Sequence, residues 1–395
     1  MISCMPAKET SPDSLTRLRY YLDWASTAIP DYSGENPAAF ANPSSLHAEG
    51  RLARRTLEDA RERCAEVLGV PAKTLYFTSG GTEANALALH SMFCRTEKGR
   101  LLYSDIEHPS VRENCLLMKK HGMPTGIIKV ESDGRVRPET FARALAKNSD
   151  TRFVTIMGAN NETGAVMEIP ELVGELRSLG KAGQAVHFHS DLVQAAGKIP
   201  LDLSGWGVDS ASFSAHKLGG PRGIGLLYAK SPPAPLYSGG GQERGVRHGT
   251  ENVFGAVAFA EVLMCRAAPE AVRCEAAKTS ERMKYLISRL QTISRCRLIP
   301  EDRRQEDERF SPWILQVGFK GVPGEVMVRA LDDAGIAVST GSACSSTSAL
   351  RPALQAMGLS HNERLEGIRI SQGWSTQKAD MDALLIAIEK ALSFL

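Results

Sequence analysis

The sequence predicts an α/β protein, with a mainly parallel sheet flanked by helices in a large domain and a smaller C-terminal α+β domain. Between Leu75 and Tyr228, short apolar runs alternate with segments of helical length. Such alternation is typical of a parallel sheet with helices on both faces. After Asn252 the pattern changes to a long helical stretch followed by isolated strands. A chain of 395 residues is long enough to bury two cores.

The runs that predict strands of the first sheet are apolar and bounded by turn residues. In chain order they are TLYFTS, GRLLYSD, RFVTIMGAN, AVHFHSD, DSASFSA and GIGLLYA. Residues 251–294 have a long helical pattern, and SPWILQVGF and GIRISQG predict later strands with the helical GEVMVRALDDAG between them. We therefore predict an arm over residues 1–18, a large domain over residues 19–262 and a small domain over residues 263–395.

Composition excludes several classes of protein. The 47 basic and 45 acidic residues nearly cancel to a net charge of +2, which argues against a direct nucleic-acid surface. The N-terminal residues lack the apolar core of a signal peptide, and the most apolar run, FGAVAFAEVLMC, is short and contains Glu261. The eight cysteines form no CxxC pair, so a zinc ribbon is not expected. These features predict a cytoplasmic protein that does not bind a membrane.

Ligands of open parallel sheets bind beyond the carboxyl ends of the strands, so the residues after each run are candidates. After TLYFTS, the segment GGTEANALAL places Gly81 and Thr82 at the start of a helix. Backbone N–H groups and the helix dipole at such a position bind phosphate. A purely structural turn is the alternative, because glycines before a helix are common.

Asp191 ends the run AVHFHSD, and a carboxylate at a buried strand end needs a cation or a protonated ring as its partner. The His187 and His189 pair of the same run suggests a rival, since alternate residues of a strand point to one side and His-x-His pairs bind metals. No further ligand set accompanies the pair, and strand histidines that only pack or form hydrogen bonds are the other alternative. We therefore predict no metal site.

The segment DSASFSAHKLGGPRG places Ser214, His216 and Lys217 at the end of the next run. A buried lysine at this position is favourable when its amine forms an imine with a carbonyl compound. The alternative is a lysine whose amine extends to water. A phosphate cradle, an acid for a pyridinium nitrogen and an imine-forming lysine, in that order on one sheet, are the groups that pyridoxal 5′-phosphate needs.

With these residues in place, the chain resembles the cysteine desulfurases, in the aminotransferase class V group of pyridoxal phosphate enzymes of fold type I. The resemblance covers nearly the whole chain, from YLDWASTAIP to GIRISQG. The motifs that carry it are NPSSLHAEG, FTSGGTEANALAL, EHPSV, NNETGAV, SDLVQAAGK, SFSAHKLGGPRGIG, GGGQERGVRHGT and STGSACSS.

The resemblance implies a role for each matching residue. Lys217 is the expected Schiff-base lysine, Asp191 the partner of the pyridine nitrogen, and His108 the residue that stacks on the ring and assists proton transfer. The remaining expected roles fall into three groups. Gln194 and Asn161 are expected to position the ring and the substrate. Phosphate binding is expected of Gly81, Thr82, Ser214, His216 and, from a partner subunit, Thr250. Arg369 is expected to bind the substrate carboxylate with support from Asn42.

Cys344 lies in VSTGSACSSTSAL, a segment with the small and polar residues of a loop. In this family the corresponding cysteine attacks the sulfur of L-cysteine, carries it as a persulfide and releases L-alanine. The resemblance implies a homodimer and a sulfur-acceptor protein, for iron–sulfur cluster assembly or tRNA thiolation. One departure concerns Leu192 and Val193, which are bulkier than the small and hydroxyl residues expected there and put one phosphate contact in doubt.

Three other functions remain open at this point. A selenocysteine lyase, or another class V lyase or aminotransferase, has the same fold. A metal-dependent hydrolase follows from the histidine pair. A non-catalytic sulfur-relay protein keeps the fold and binds the cofactor without turnover.

Overall fold

The computed structural model describes residues 19–31, 40–94, 99–341 and 351–395. The predicted arm over residues 1–18 and the predicted nucleophile Cys344 lie outside the described residues. Among the helices in these ranges, none combines the length and the apolar character needed to cross a bilayer.

The large sheet has seven strands, and it is mainly parallel as the sequence predicts. In spatial order the strands are β2 (Leu75–Thr78), β8 (Gly225–Ala229), β7 (Ser210–Ser214), β6 (His187–Asp191), β5 (Thr151–Thr155), β3 (Arg100–Ser104) and β4 (Thr125–Ile128). All neighbours pair in parallel except the two pairs that involve β8, which is antiparallel to β7 and to β2. Six of the seven strands overlap the predicted runs, and β4 was not predicted.

Both faces of this sheet are buried, because alternate strand residues enter two different cores. Leu102 and Val154 belong to one apolar cluster, and their neighbours Leu101 and Phe153 belong to another on the opposite face. Double burial explains why the strands are near-continuous apolar runs in the sequence. The helices of this part are α1 (Ala48–Leu68), α2 (Gly81–His90), α3 (Pro109–Lys120), α4 (Pro138–Lys147), α5 (Ile169–Ser178), α6 (Lys181–Gln184), α7 (Leu203–Trp206) and α8 (Val253–Ala267).

The C-terminal part is α+β. Strands β9, β10 and β12 form an antiparallel sheet in the order β12-β10-β9, and the short β1 pairs in parallel with β11. Leu22, which follows β1, is buried in this second core. The bounds are β1 (Tyr20–Tyr21), α9 (Pro269–Leu290), β9 (Cys296–Ile299), β10 (Ile314–Phe319), α10 (Gly324–Asp333), β11 (Ile336–Ala337), α11 (Pro352–Ala356), α12 (His361–Glu366), β12 (Gly367–Ser371) and α13 (Lys378–Phe394).

The long helical pattern over residues 251–294 forms two helices rather than one. Helix α8 ends at Ala267 and α9 begins at Pro269, because proline lacks the N–H group that would continue the first helix. Residue 262 lies within α8, which packs against α1 and contributes to the first core. The predicted domain division at residue 262 therefore falls inside a helix, and it stays a prediction.

Candidate active site

The candidate site lies where β6 and β7 end, beside the first turns of α2 and α3. Asp191 is the last residue of β6, and Ser214 is the last residue of β7. A 3₁₀ turn over Ala215–Lys217 follows β7 directly. Since β6 and β7 are parallel neighbours, their carboxyl ends share one edge of the sheet, as the sequence predicts.

The amine of Lys217 is held by the backbone of a loop near the N-terminus. Nζ donates to the carbonyl oxygens of Ala25 and Ser26, each at 2.7 Å. The carbonyl of Ala25 also accepts a hydrogen bond from Nε2 of Gln194 at 2.8 Å. One carbonyl therefore joins the predicted Schiff-base lysine to the predicted ring-positioning glutamine.

Asp191 is buried and accepts two hydrogen bonds from neutral donors. Nδ2 of Asn85 donates to Oδ2 at 2.8 Å, and the backbone N–H of Val193 donates to Oδ1 at 3.0 Å. A buried carboxylate at the end of a strand suits a protonated ring nitrogen, which would place a positive charge beside it.

His108 caps the N-terminus of α3 next to this carboxylate. Its Nδ1 accepts from the backbone N–H of Ser110 at 3.1 Å and lies 2.8 Å from Oγ of the same serine. Burial is the main effect that lowers the pKa of His108; the Asp191 charge opposes the shift and Lys217 adds to it. The imidazole is therefore neutral at neutral pH, close to both the acid and the amine.

The start of α2 has the form of an anion site. The N-cap residue, Gly80, has no side chain that could cap the helix, which leaves the first N–H groups open to a ligand. A Cβ at Gly81 would lie 2.6 Å from Cγ2 of Val193, which explains the glycine. Ser214 adjoins the same turn, 3.9 Å from a Cβ built on Gly80. Val193 thus packs over the cradle, where the sequence departs from the family pattern.

Two further predicted phosphate residues flank this cradle. Thr82 is exposed in the first turn of α2. His216 lies in the turn after β7, where Nδ1 is 3.4 Å from Oγ1 of Thr27. Burial, reinforced by the Lys217 charge, lowers the pKa of His216 to about 4, so the ring is neutral and serves as a hydrogen-bonding group.

Arg369 comes from β12 and reaches the same loop as Lys217. One terminal nitrogen, Nη2, donates to Oγ of Ser26 at 2.6 Å and to Oδ1 of Asp23 at 2.8 Å. The other, Nη1, donates to the carbonyl oxygens of Asn161 at 2.8 Å and Gly341 at 3.1 Å. Nε is buried without a partner within the described residues. The guanidinium is therefore fixed beside Lys217, with Asp23 partly neutralising it.

Three residues that the sequence predicts for the site are Asn161, Asn42 and Thr250. They either contact the site in another way than predicted or lie outside the cluster around Lys217, Asp191 and Arg369. Asn161 contacts Arg369 through its backbone carbonyl. Asn42 is exposed, and its Oδ1 accepts a hydrogen bond from the N–H of Ser44 at 2.9 Å. Thr250 is exposed at the end of the glycine-rich loop. The substrate role of Asn42 and the partner-subunit role of Thr250 stay predictions.

The histidine pair that suggested a metal site has other partners. Nε2 of His187 and Nδ1 of His189 each lie 2.7 Å from Oγ of Ser210, and Nε2 of His189 lies 3.0 Å from Oδ1 of Asn85. Within the described ranges, no group of three His, Cys, Asp or Glu side chains is arranged to hold a metal ion. The pair belongs to a hydrogen-bond network that leads to Asp191.

Sequence reasoning did not assign three buried polar residues around the site. Asn85 lies among alanines and leucines of α2, Lys198 donates to Oε1 of Gln194 at 2.6 Å, and Glu107 accepts from Oγ of Ser104 at 2.6 Å. Burial raises the pKa of Glu107 to about 8 and lowers that of Lys198 to about 7. A polar residue on an apolar helical face was the available signal for Asn85.

Comparison with known proteins places this geometry in a family. The sequence profile described as Aminotransferase class-V matches residues 25–384. A cysteine desulfurase IscS of Dictyoglomus turgidum is 35% identical over 94% of this chain and 94% of its own length. A cysteine desulfurase IscS of an Anaeromyxobacter species is 37% identical over 89% of this chain and 85% of its own length. The solved structure of a NifS-like protein superposes with a TM-score of 0.86 at 32% identity, over 96% of this chain and all of that one.

The buried acid, the amine, the neutral imidazole and the open helix start fit pyridoxal 5′-phosphate, the cofactor of these enzymes. The agreement extends from the site to the whole chain, since the profile and both relatives cover most of its length. The chain belongs to the cysteine desulfurases of the aminotransferase class-V family, which are pyridoxal phosphate enzymes of fold type I.

Proposed function

We propose that this protein converts L-cysteine to L-alanine and transfers the sulfur as a persulfide to Cys344, which passes it to an acceptor. The observation that carries the proposal is that Ser26 contacts both Lys217 and Arg369. An amine that can hold the cofactor and a guanidinium that can hold a carboxylate therefore share one loop residue. An α-amino acid is the substrate class that such a pair selects.

The bound cofactor withdraws electrons from the substrate carbon, and the protein residues supply position, charge and protons. The carboxyl group of Asp191 would pair with the ring nitrogen and favour its positive form in a buried site. Lys217 holds the cofactor through its amine and, once released, becomes a base beside the carbonyls of Ala25 and Ser26. The neutral His108 provides a second proton-transfer group.

Arg369 binds the substrate carboxylate in this proposal. Its terminal N–H groups are directed by β12 towards Ser26 and Asp23, which fixes the planar fork in one orientation. Gly341, which accepts from Nη1 of Arg369, precedes Cys344 by three residues.

Sulfur transfer balances without an external oxidant. The thiolate of Cys344 attacks the substrate sulfur, the carbon–sulfur bond breaks, and the electron pair stays on the carbon that becomes the methyl group of alanine. A proton from the site completes that methyl group, and the sulfur is oxidised as the carbon is reduced. The product on the protein is a persulfide.

The test is a single-turnover reaction of the purified holoenzyme with L-cysteine, in which alanine and protein persulfide are both measured. Cys344→Ala should bind the cofactor but form neither product, while the matched variant Cys274→Ala, which removes an exposed thiol from α9, should behave as the wild type. Alanine release from Cys344→Ala at the wild-type rate would contradict the sulfur-transfer route. Equal or faster turnover of L-selenocysteine would instead favour a selenocysteine lyase.

The partners belong to the same proposal. A homodimer is supported by the exposed Leu46 and Phe40 in the segment before α1, and by the exposed Thr250, which in this family serves the partner's phosphate site. Light scattering should give twice the chain mass of 42.7 kDa. We further propose a cytoplasmic enzyme whose acceptor serves iron–sulfur cluster assembly or tRNA thiolation. Mass spectrometry of ³⁵S-labelled acceptors in a cell extract tests that step.

A further inference from the structure

A continuous hydrogen-bond chain runs along one face of the large sheet and ends at two residues of the site. It runs from His187 through Ser210 and His189 to Asn85, with distances of 2.7, 2.7 and 3.0 Å. Nδ2 of Asn85 then donates to Oδ2 of Asp191 and to Oγ of Ser110, each at 2.8 Å. Oγ of Ser110 lies 2.8 Å from Nδ1 of His108. The chain thus links the unexplained histidine pair to both the acid and the imidazole of the site.

The donor or acceptor character of each atom sets the direction of every hydrogen bond in this network. The amide nitrogen of Asn85 donates to Asp191, so the amide oxygen faces His189. That oxygen only accepts, so Nε2 of His189 carries the proton. Burial lowers the pKa of His189 to about 3, so its ring is neutral and Nδ1 is an acceptor. The hydroxyl of Ser210 must then donate to Nδ1.

The same reasoning gives the directions of the hydrogen bonds that lead from Asn85 through Ser110 to His108. Oγ of Ser110 accepts from Asn85, so its single proton points to Nδ1 of His108. The backbone N–H of Ser110 donates to the same nitrogen at 3.1 Å. Two donors on Nδ1 require the proton of the neutral His108 ring to be on Nε2.

We propose that Asn85 and His189 are positioning residues: Nε2 of His189 orients the amide of Asn85, and that amide orients Asp191 and the hydroxyl of Ser110 beside His108. This inference rests on the proposed function for its consequence, since Asp191 and His108 act on the cofactor. The hydrogen-bond directions themselves are properties of the protein without cofactor. Both positioning residues are fully buried, whereas the outer His187 and Ser210 line a cavity of about 260 Å³ at the edge of the sheet where β6 and β7 begin.

The test measures tautomers directly, by ¹⁵N NMR of protein labelled at its nine histidines, with and without pyridoxal 5′-phosphate. In the wild type, His189 and His108 should each show an unprotonated Nδ1 and a protonated Nε2 at neutral pH. His189→Phe should leave the amide of Asn85 without its donor and weaken pyridoxal phosphate binding about tenfold, since Asp191 loses an oriented donor. His108 should keep its proton on Nε2, because the backbone N–H of Ser110 still donates to Nδ1. His189→Gln, which can donate to Asn85 and accept from Ser210, should restore the affinity for the cofactor.

Ser190→Ala is the matched control, because Ser190 is as buried as His189 but points to the other face of β6, where Oγ donates to the carbonyl of Ile156 at 2.8 Å. It should leave the His108 tautomer and cofactor affinity unchanged. If His189→Phe does not fold, Asn85→Ala removes the acceptor that faces Nε2 and should give a mixture of His189 tautomers. A protonated Nδ1 on wild-type His189, or an unchanged cofactor affinity in folded His189→Phe, would overturn the proposal. Failure of the wild-type protein to bind cofactor would instead overturn the proposed function and leave the tautomer result to stand alone.

Discussion

Replacing the buried Lys198 with methionine should change how stability depends on pH. Lys198 is 4% exposed, and its ammonium group donates to Oε1 of Gln194 at 2.6 Å. Burial, reinforced by the charges of Lys217 and Arg369, lowers its pKa from 10.5 to about 7. Lys198→Met keeps the length of the side chain and removes the charge.

Proton binding to Lys198 in the folded and unfolded chains determines whether stability rises or falls with pH. At a pH between about 7 and 10.5, the unfolded chain binds a proton at Lys198 that the folded chain does not, so stability rises with pH. The penalty of the buried charge is fully present below pH 7 and disappears above the unfolded pKa. One proton changes the free energy of unfolding by about 1.4 kcal/mol per pH unit. From about pH 6.5 to about pH 9.5, the wild type should therefore gain about 3 kcal/mol relative to Lys198→Met.

The assay is urea unfolding of the cofactor-free protein at several pH values and one protein concentration. The quantity compared is the difference in the free energy of unfolding between wild type and variant, so that other titrating groups cancel. Lys147→Met, at an exposed position in the last turn of α4, is the control and should show no such trend. A difference between wild type and Lys198→Met that stays constant across this pH range would refute the argument that burial neutralises Lys198.

Three other outcomes follow from the site. Borohydride should fix pyridoxal phosphate covalently to Lys217 alone, and mass spectrometry of the labelled peptide checks this; label elsewhere would contradict the assignment. Arg369→Lys should raise KM for L-cysteine at least about tenfold with cofactor content unchanged, because an ammonium group lacks the bidentate fork; an unchanged KM in steady-state assays would place the carboxylate elsewhere. Burial raises the pKa of Glu107 to about 8 from 4.5, so the folded chain retains a proton and stability falls as the pH rises from about 5 to 8. In thermal melts at several pH values, the stability of Glu107→Gln should not fall in this way as the pH rises. An identical decline in wild type and variant would contradict the raised pKa of Glu107.

The local sequence pattern was sufficient to predict much of the site, because the main site residues lie at or directly after the ends of strands. Asp191 and Ser214 end apolar runs, and parallel strands bring their carboxyl ends to one edge. The predictions of secondary structure were less accurate where the local signals in the sequence are weak or conflict. Strand β4 is four residues long with a glycine, and a proline divides a helical pattern that is otherwise continuous into α8 and α9.

The sequence by itself determined the fold class, six of the seven strands of the large sheet and the identity of the main chemical groups, because apolar periodicity and turn residues act over short distances. Tertiary structure alone decided how the charges are placed. Arg369 contacts Asp23 and Ser26, which are 346 and 343 positions away, and His189 meets Asn85 across 104 positions. Such contacts depend on how helices pack on the sheet and how the second core closes on the first. Burial then sets the protonation of Lys198 and His189, and no local pattern reports how far a side chain will be removed from water.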